Sequence, residues 1–309
     1  MQASVPRRGR GEPSFWKEAS LGKLEIGLHQ AKLLCGMPFA DRLDFIAEGL
    51  PLILGSAQGL WAASRKLQDC PREANILEGH AEEEAAKILI LLDIVRCPRK
   101  SIGSRVGPMV RWFYDHLARL IYANAVSWKP VDVDQLRDYV DSHRQAHFVE
   151  GEYGEFILPN WEIYSRESRL YVDVEAQEDG VRGWSVPRGL ATQGMFGSAP
   201  ALRTAEALSA LGIFAPAGLL AVAEIWGQLE FVDRQCFDDC RRLTRTLLER
   251  LDREKLFTDI AEEKHAHLLF DAWQMPMYNL EFGLVPVSLE ELQAERDSRY
   301  YAEIAGHDF

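Results

Sequence analysis

Residues 74–92 read ANILEGHAEEEAAKILILL, and the fold turns on how this stretch is read. At about 100° per residue, Ile76, His80, Glu83, Lys87, Ile90 and Ile94 share one helical stripe, polar in the middle and apolar at both ends. From Ile88 onward the pattern is apolar nearly all round, which marks a helix at the centre of a bundle. Pro71 opens the segment and Cys97-Pro98 closes it, so the spacing predicts a long helix over 72–95. The polar middle of the stripe has two readings. One is an intrahelical Glu83–Lys87 pair contributing a few tenths of a kcal/mol. The other is a buried or cleft-lining cluster that also takes in Glu84.

Upstream, Leu43, Ile46, Leu50, Leu54, Ala57 and Trp61 keep helical spacing across 41–67, with Pro51 expected to kink or split the helix. Downstream, 99–107 reads as a basic Gly/Ser loop, and Pro108 suits the first position of a third helix over 108–126. Trp128-Lys129-Pro130 breaks that helix, and Asp132 or Asp134 caps a fourth that extends to about Val149. From Gly151 the composition shifts to glycine, aromatic and β-branched residues. Residues 170–174 alternate like a strand, and 181–186 are placed to pair back as a hairpin across Gly180. A Gly-rich linker at 189–197 follows. Helical pattern returns from Ala199, most strongly over 233–256 and 259–273, and Ser288 with Glu291 forms a capping-box spacing. The expected architecture is mainly α. It has an arm and short helix at 1–40, a helical bundle at 41–190 with a small β-hairpin insertion near 168–187, and additional C-terminal helices at 198–309.

The chain has 309 residues and a net charge of −12 spread along its length, which argues against a broad basic nucleic-acid face. Any RNA contact must come from local arginine clusters, and arginine outnumbers lysine 26 to 9. The 5 cysteines are scattered, which argues against a disulfide framework. Cys236 and Cys240 lie one turn apart without the second ligand pair that zinc needs. Residues 1–13 are basic and lack the apolar core of a secretory signal, and the runs at 88–92 and 211–223 are too short to span a bilayer. A cytoplasmic protein without membrane contact is expected.

Chemistry-bearing residues concentrate in Arg111-Trp-Phe-Tyr-Asp-His116. Arg111, expected in a first helical turn, would meet an anion together with free backbone amides. His116 would move a proton near neutral pH. Such a pair suits phosphodiester cleavage, with arginine on the charged phosphorane and histidine as acid or base. The competing reading is a surface ladder of Arg111, Asp115 and Arg119. Arg137 and His143 have the same form, and about two such pairs are expected by chance in so arginine-rich a chain. On one ideal helix Arg111 and His116 stand about 140° apart, so a site shared between two copies is easier to build than one from a single helix. Glu262-x-x-His265 is half of a di-iron pattern, and His143, His147 and Glu150 share a face without the metalloprotease motif. No phosphate-binding glycine loop or nucleophile elbow occurs, and no cofactor or metal is expected.

Two of these segments also carry a family likeness. Glu83-Glu84-Ala-Ala-Lys87, followed by its aliphatic run, resembles the Glu-Glu-x-x-Lys helix of AbiV-type abortive infection proteins. Arg166-Glu-Ser-Arg-Leu-Tyr-Val-Asp173, with Asp179-Gly180 and Trp184-Ser-Val-Pro187 after it, resembles the downstream segment of the same family. The likeness covers about 70–190. It implies a HEPN-like helical bundle and an antiphage role as a metal-independent endoribonuclease that dimerises around a composite Arg/His site. On this likeness Arg111 and His116 are the catalytic pair, and Arg137 and His143 the second choice. The partners implied are RNA or the translation machinery, a second copy of the chain and a phage-encoded activator or regulatory protein. Trp112 departs from the polar residue that often follows the motif arginine. That departure keeps open an alternative from another class: a non-catalytic interaction protein that blocks translation or binds a phage product.

Overall fold

The computed structural model describes residues 33–67, 69–145, 147–150, 156–158, 160–176, 182–187 and 199–306. The arm through residue 32 and the expected linker at 189–197 lie outside the described residues. The first long helix, α1 (Phe39–Ser64), runs unbroken through Pro51, contrary to the expected kink or split. Pro51 is exposed, and the buried row Leu43, Ile46, Leu50, Leu54 and Ala57 continues past it. Packing along that row holds the helix through the missing hydrogen bond.

Helix α2 (Pro71–Arg96) has proline in its first turn, as the sequence pattern suggested. From Ala85 to Cys97 every residue except Lys87 is buried. The single helix expected over 108–126 is instead two, α3 (Ile102–Tyr114) and α4 (His116–Ala125). Helix α3 begins inside the stretch expected to be a loop, so Pro108 is interior to it. The break is Asp115, whose backbone is extended and whose carboxylate accepts the amide of Ala118 at 2.9 Å as the N-cap of α4.

Helix α5 (Val133–Gln145) stops short of the expected end near 149. The next residues form strand β1 (Phe148–Glu150), antiparallel to β2 (Phe156–Leu158), with Val149 opposite Ile157. Helix α6 (Trp161–Leu170) occupies residues expected to be irregular and β-rich. Asn160 caps it, accepting the Ile163 amide at 3.1 Å and donating to the His143 carbonyl at 3.0 Å. The expected hairpin is present as β3 (Asp173–Ala176) and β4 (Arg182–Ser185), beginning later than the alternation suggested because residue 170 ends α6.

The C-terminal part holds α7 (Pro200–Ala210), α8 (Pro216–Trp226), α9 (Phe237–Arg253), α10 (Glu263–Ala272) and α11 (Leu289–Gly306). Ser288 and Glu291 exchange the two capping-box bonds, both 3.1 Å. The turn between α7 and α8 needs Gly212, which has φ +73° and lies so close to Leu256 that a Cβ would sit 1.9 Å from that carbonyl oxygen.

The molecule is mainly α, with α2 at its centre. Helices α1, α3, α4, α6, α7 and α8 all pack on it. One apolar cluster runs from Leu43 to Phe282 and so joins the 41–190 and 198–309 segments. Fully burying a Leu or Ile contributes roughly 1.5–3 kcal/mol, and Leu50, Ile88, Leu89 and Ile90 are all completely buried. At the end of α2, Arg96 is fully buried between the rings of Trp226 and Trp273, 4.8 and 4.5 Å from their centroids. It pairs with Asp93 and donates to the Gln274 carbonyl at 2.8 Å. Asp93 also accepts from Tyr122 at 3.0 Å and from the Met277 amide at 2.7 Å. This polar knot ties α2 and α4 to the segment after α10. No helix among the described residues is long and apolar enough to cross a membrane.

Candidate functional site

The polar stripe of α2 faces α4 and α6, and Glu83 is its centre. Glu83 is buried at 3% exposure, so its charge needs partners from neighbouring helices. Helix α4 supplies His116 and Arg119, and α6 supplies Arg166. His116 Nδ1 lies 2.7 Å from Glu83 Oε2, Arg166 Nε donates to Oε1 at 2.7 Å, and Arg119 reaches Oε2 at 3.5 Å. His80, one turn earlier on α2, stands 3.9 Å away. Burial alone would raise the Glu83 pKa, but hydrogen bonds from His116 and Arg166 overturn this and hold it at about 2. Burial pushes the pKa of His80 below its ordinary value, which favours its neutral form.

Of the two readings of the stripe, Glu83 follows the cluster one, with partners drawn from other helices. Lys87 pairs with Glu84, not Glu83, and lies over the Phe113 ring at 5.5 Å. The two motifs quoted above meet directly, since Glu83 belongs to the first and Arg166 to the second. Arg166 and Arg119 were each visible in the sequence. Their convergence was not, because it depends on how α4 and α6 dock on α2.

His116 is the first residue of α4, set there by its neighbour, the Asp115 cap. Its side chain is 53% exposed. Nδ1 also lies 2.8 Å from an Arg119 nitrogen, and one ring nitrogen cannot donate to a carboxylate and accept from a guanidinium at once. A carboxylate held ionised demands a donor, so the proton on Nδ1 goes to Glu83. Arg119 then rests on Glu83 and on the Asp115 carbonyl, 3.2 Å from its Nε. Nε2 is left as the basic nitrogen, the arrangement by which a carboxylate orients a catalytic imidazole.

The structure separates the other candidate residues. Arg111 is exposed in the last turn of α3, not in a first turn, so the helix dipole there favours cations and no free amides assist it. Arg137 pairs with Asp134 and with Asp233 before α9, while His143 sits on Tyr139 with Nε2 3.7 Å from Glu162, so these two face different neighbours. His147 pairs with Glu295 of α11 at 2.9 Å. Among the described residues, no group of three His, Cys, Asp or Glu side chains is placed to hold a metal ion. No family model, curated protein or solved structure matches the chain.

Proposed function

We propose that this chain is an abortive-infection type antiphage protein that cleaves RNA without a metal, with His116 as its proton-transfer group. The observation that carries this reading is the buried Glu83 carboxylate bonded to His116 Nδ1 at 2.7 Å, with the ring half exposed. In the reaction Nε2 takes the proton from a ribose 2′-hydroxyl, and the oxygen attacks the adjacent phosphorus. The bond to the 5′-oxygen breaks, and the imidazolium returns the proton to that oxygen. The products are a 2′,3′-cyclic phosphate and a free 5′-hydroxyl. Arg119, buried beside the ring on Glu83 and the Asp115 carbonyl, adds positive potential at the phosphate without touching it. Glu83, Arg119 and Arg166 together carry one positive charge, which suits a phosphodiester. A second copy placed across a two-fold axis would bring a further His116 and the exposed Arg111 to the same phosphate.

The test is incubation of the purified chain with total RNA and EDTA, against His116→Ala, Arg111→Ala and His143→Ala. Cleavage should persist in EDTA and fall by roughly 10²–10⁴-fold in His116→Ala, the usual worth of general acid–base catalysis. His143→Ala should cleave normally. Cleavage unchanged in His116→Ala, or abolished by EDTA, refutes the mechanism.

One observation favours a second reading, a non-catalytic interaction protein acting on translation or a phage product. Val174 and Trp184 are directly opposed on the β3–β4 hairpin, and with Val172 and Val186 they leave an exposed apolar face. If this reading holds, Trp184→Ser abolishes phage protection in cells while His116→Ala preserves it.

A further inference from the structure

A cleft of about 180 Å³ opens between α2, α4 and α6, beside the Glu83 cluster. It is smaller than the roughly 300–1,000 Å³ pockets that hold drug-sized ligands, so it suits a single ring system. Its apolar lining comes from Ile76, Gly79, Leu120 and Leu170, and its polar lining includes Glu162 and Arg169 of α6. These two are seven residues apart, hence on one helical face and about 10 Å apart along the axis.

Both groups have bonding capacity left. Arg169 donates to Ser165 Oγ at 2.8 Å through Nη2, and its Nη1 faces the floor, 4.0 Å from where a Gly79 Cβ would stand. Glu162 accepts from Asn124 through Oε2 at 3.0 Å. Its Oε1 is 3.7 Å from His143, beyond hydrogen-bond length, and stays able to accept.

The charge pattern narrows the ligand. A bare anion would meet Glu82, Glu83 and Glu162, and a bare cation would meet Arg166 and Arg169. A neutral ring with acceptors on one side and donors on the other satisfies both ends. Guanine is such a ring: O6 and N7 accept from a guanidinium, and N1–H and N2–H donate to a carboxylate. Adenine has a donor where guanine has O6, the wrong polarity for arginine. We infer that the cleft is a guanine-binding pocket, with Arg169 reading O6 and N7 and Glu162 reading N1–H and N2–H over a floor that includes Gly79. In RNA this places a guanosine next to the phosphate served by His116, a consequence that rests on the proposed cleavage; binding of the base does not.

The experiment is calorimetric titration of the full chain with guanosine and with adenosine, which carry no phosphate. Guanosine should bind saturably, and adenosine should bind on the order of tenfold more weakly or worse. Arg169→Met and Glu162→Gln should each weaken guanosine on the order of tenfold. Gly79→Leu favours the helix and its Cβ has room, 4.0 Å from Arg169 Nη1, and circular dichroism checks that the fold is kept. The substitution fills the pocket and should abolish binding. Absence of saturable guanosine binding, equal affinity for adenosine, or native binding by Gly79→Leu overturns the pocket. RNA cleavage lost in His116→Ala without guanosine binding sinks the pocket alone. Guanosine binding in a chain that cleaves nothing upholds the pocket and sinks the nuclease.

Discussion

Two neighbouring carboxylates on α2 respond to burial in opposite directions. Glu83 meets guanidinium and imidazole donors and is held at about 2. Glu82 is pushed up to about 7 by burial, offset only in part by the Ala201 and Leu202 amides it accepts at the start of α7. The linkage signs follow. Glu83 has a depressed folded pKa, so it contributes stability above its ordinary 4.5 that is lost as pH falls toward 2. Glu82 has a raised folded pKa, so its contribution is complete below 4.5 and is lost as pH rises through about 7. Thermal unfolding from pH 2 to 9 should therefore show Glu82→Gln gaining on the native chain above pH 7. Glu83→Gln should lose about 3–5 kcal/mol at neutral pH, because buried Arg119 and half-buried Arg166 lose the carboxylate they share. A Glu83→Gln chain as stable as the native one would contradict the ion cluster. At this scale the stripe through His80, Glu83 and Lys87 was legible from helical spacing alone. The choice of Arg166 and Arg119 as partners was not, since nothing local in 119 or 166 specifies which helix each will face.

The elements whose apolar face is strong were the legible ones. Helix α2 and helix α9, with its buried row Cys240, Leu243, Leu247 and Leu251, lie where periodicity put them. Helix α6 was missed because no residue in it is fully buried, so it carries no apolar stripe to read, and its start depends on the Asn160 cap. The α3–α4 break was missed because the apolar spacing of Phe113, Leu117 and Ile121 continues across it. Asp115 was read as a rung of a surface ladder, when it is a cap. Asp115→Ala should cost about 1 kcal/mol in urea unfolding and, if the chain cleaves RNA as proposed, should lower that cleavage by freeing the start of α4. Stability lost with cleavage retained would show that the cap does not position His116. At the other end of the bundle, Gly218→Ala places a Cβ 2.2 Å from the Gly212 carbonyl oxygen, where neither backbone can yield cheaply. It should destabilise by roughly 1–3 kcal/mol, although alanine is the better helix former. A stabilised Gly218→Ala would contradict the close α7–α8 approach.

For the molecule as a whole, the knot around Arg96 matters more than any one helix. It joins α2, α4, α8 and the segment after α10 through one buried guanidinium. Arg96→Ala removes the partner of buried Asp93 and should cost about 3–5 kcal/mol. Because one apolar cluster crosses from Leu43 to Phe282, far-UV and near-UV circular dichroism should report one shared unfolding transition. Two separated transitions would mean that the halves fold apart. That continuity was not legible in the sequence, where the linker at 189–197 suggested a division into segments. The same knot gives the protein its own colour code. Trp226 and Trp273 are at 0% and 1% exposure against Arg96, whereas Trp184 on the hairpin is at 73%. Sealed indoles emit toward the blue and resist acrylamide, while a wetted one emits toward the red and is quenched. Trp184 is the most exposed of the described tryptophans, so a partner closing over the hairpin would move part of the red, quenchable light toward the blue and shield it, whereas melting of the bundle would convert the blue to red. Unlabelled protein can thus signal capture and collapse as separate optical events.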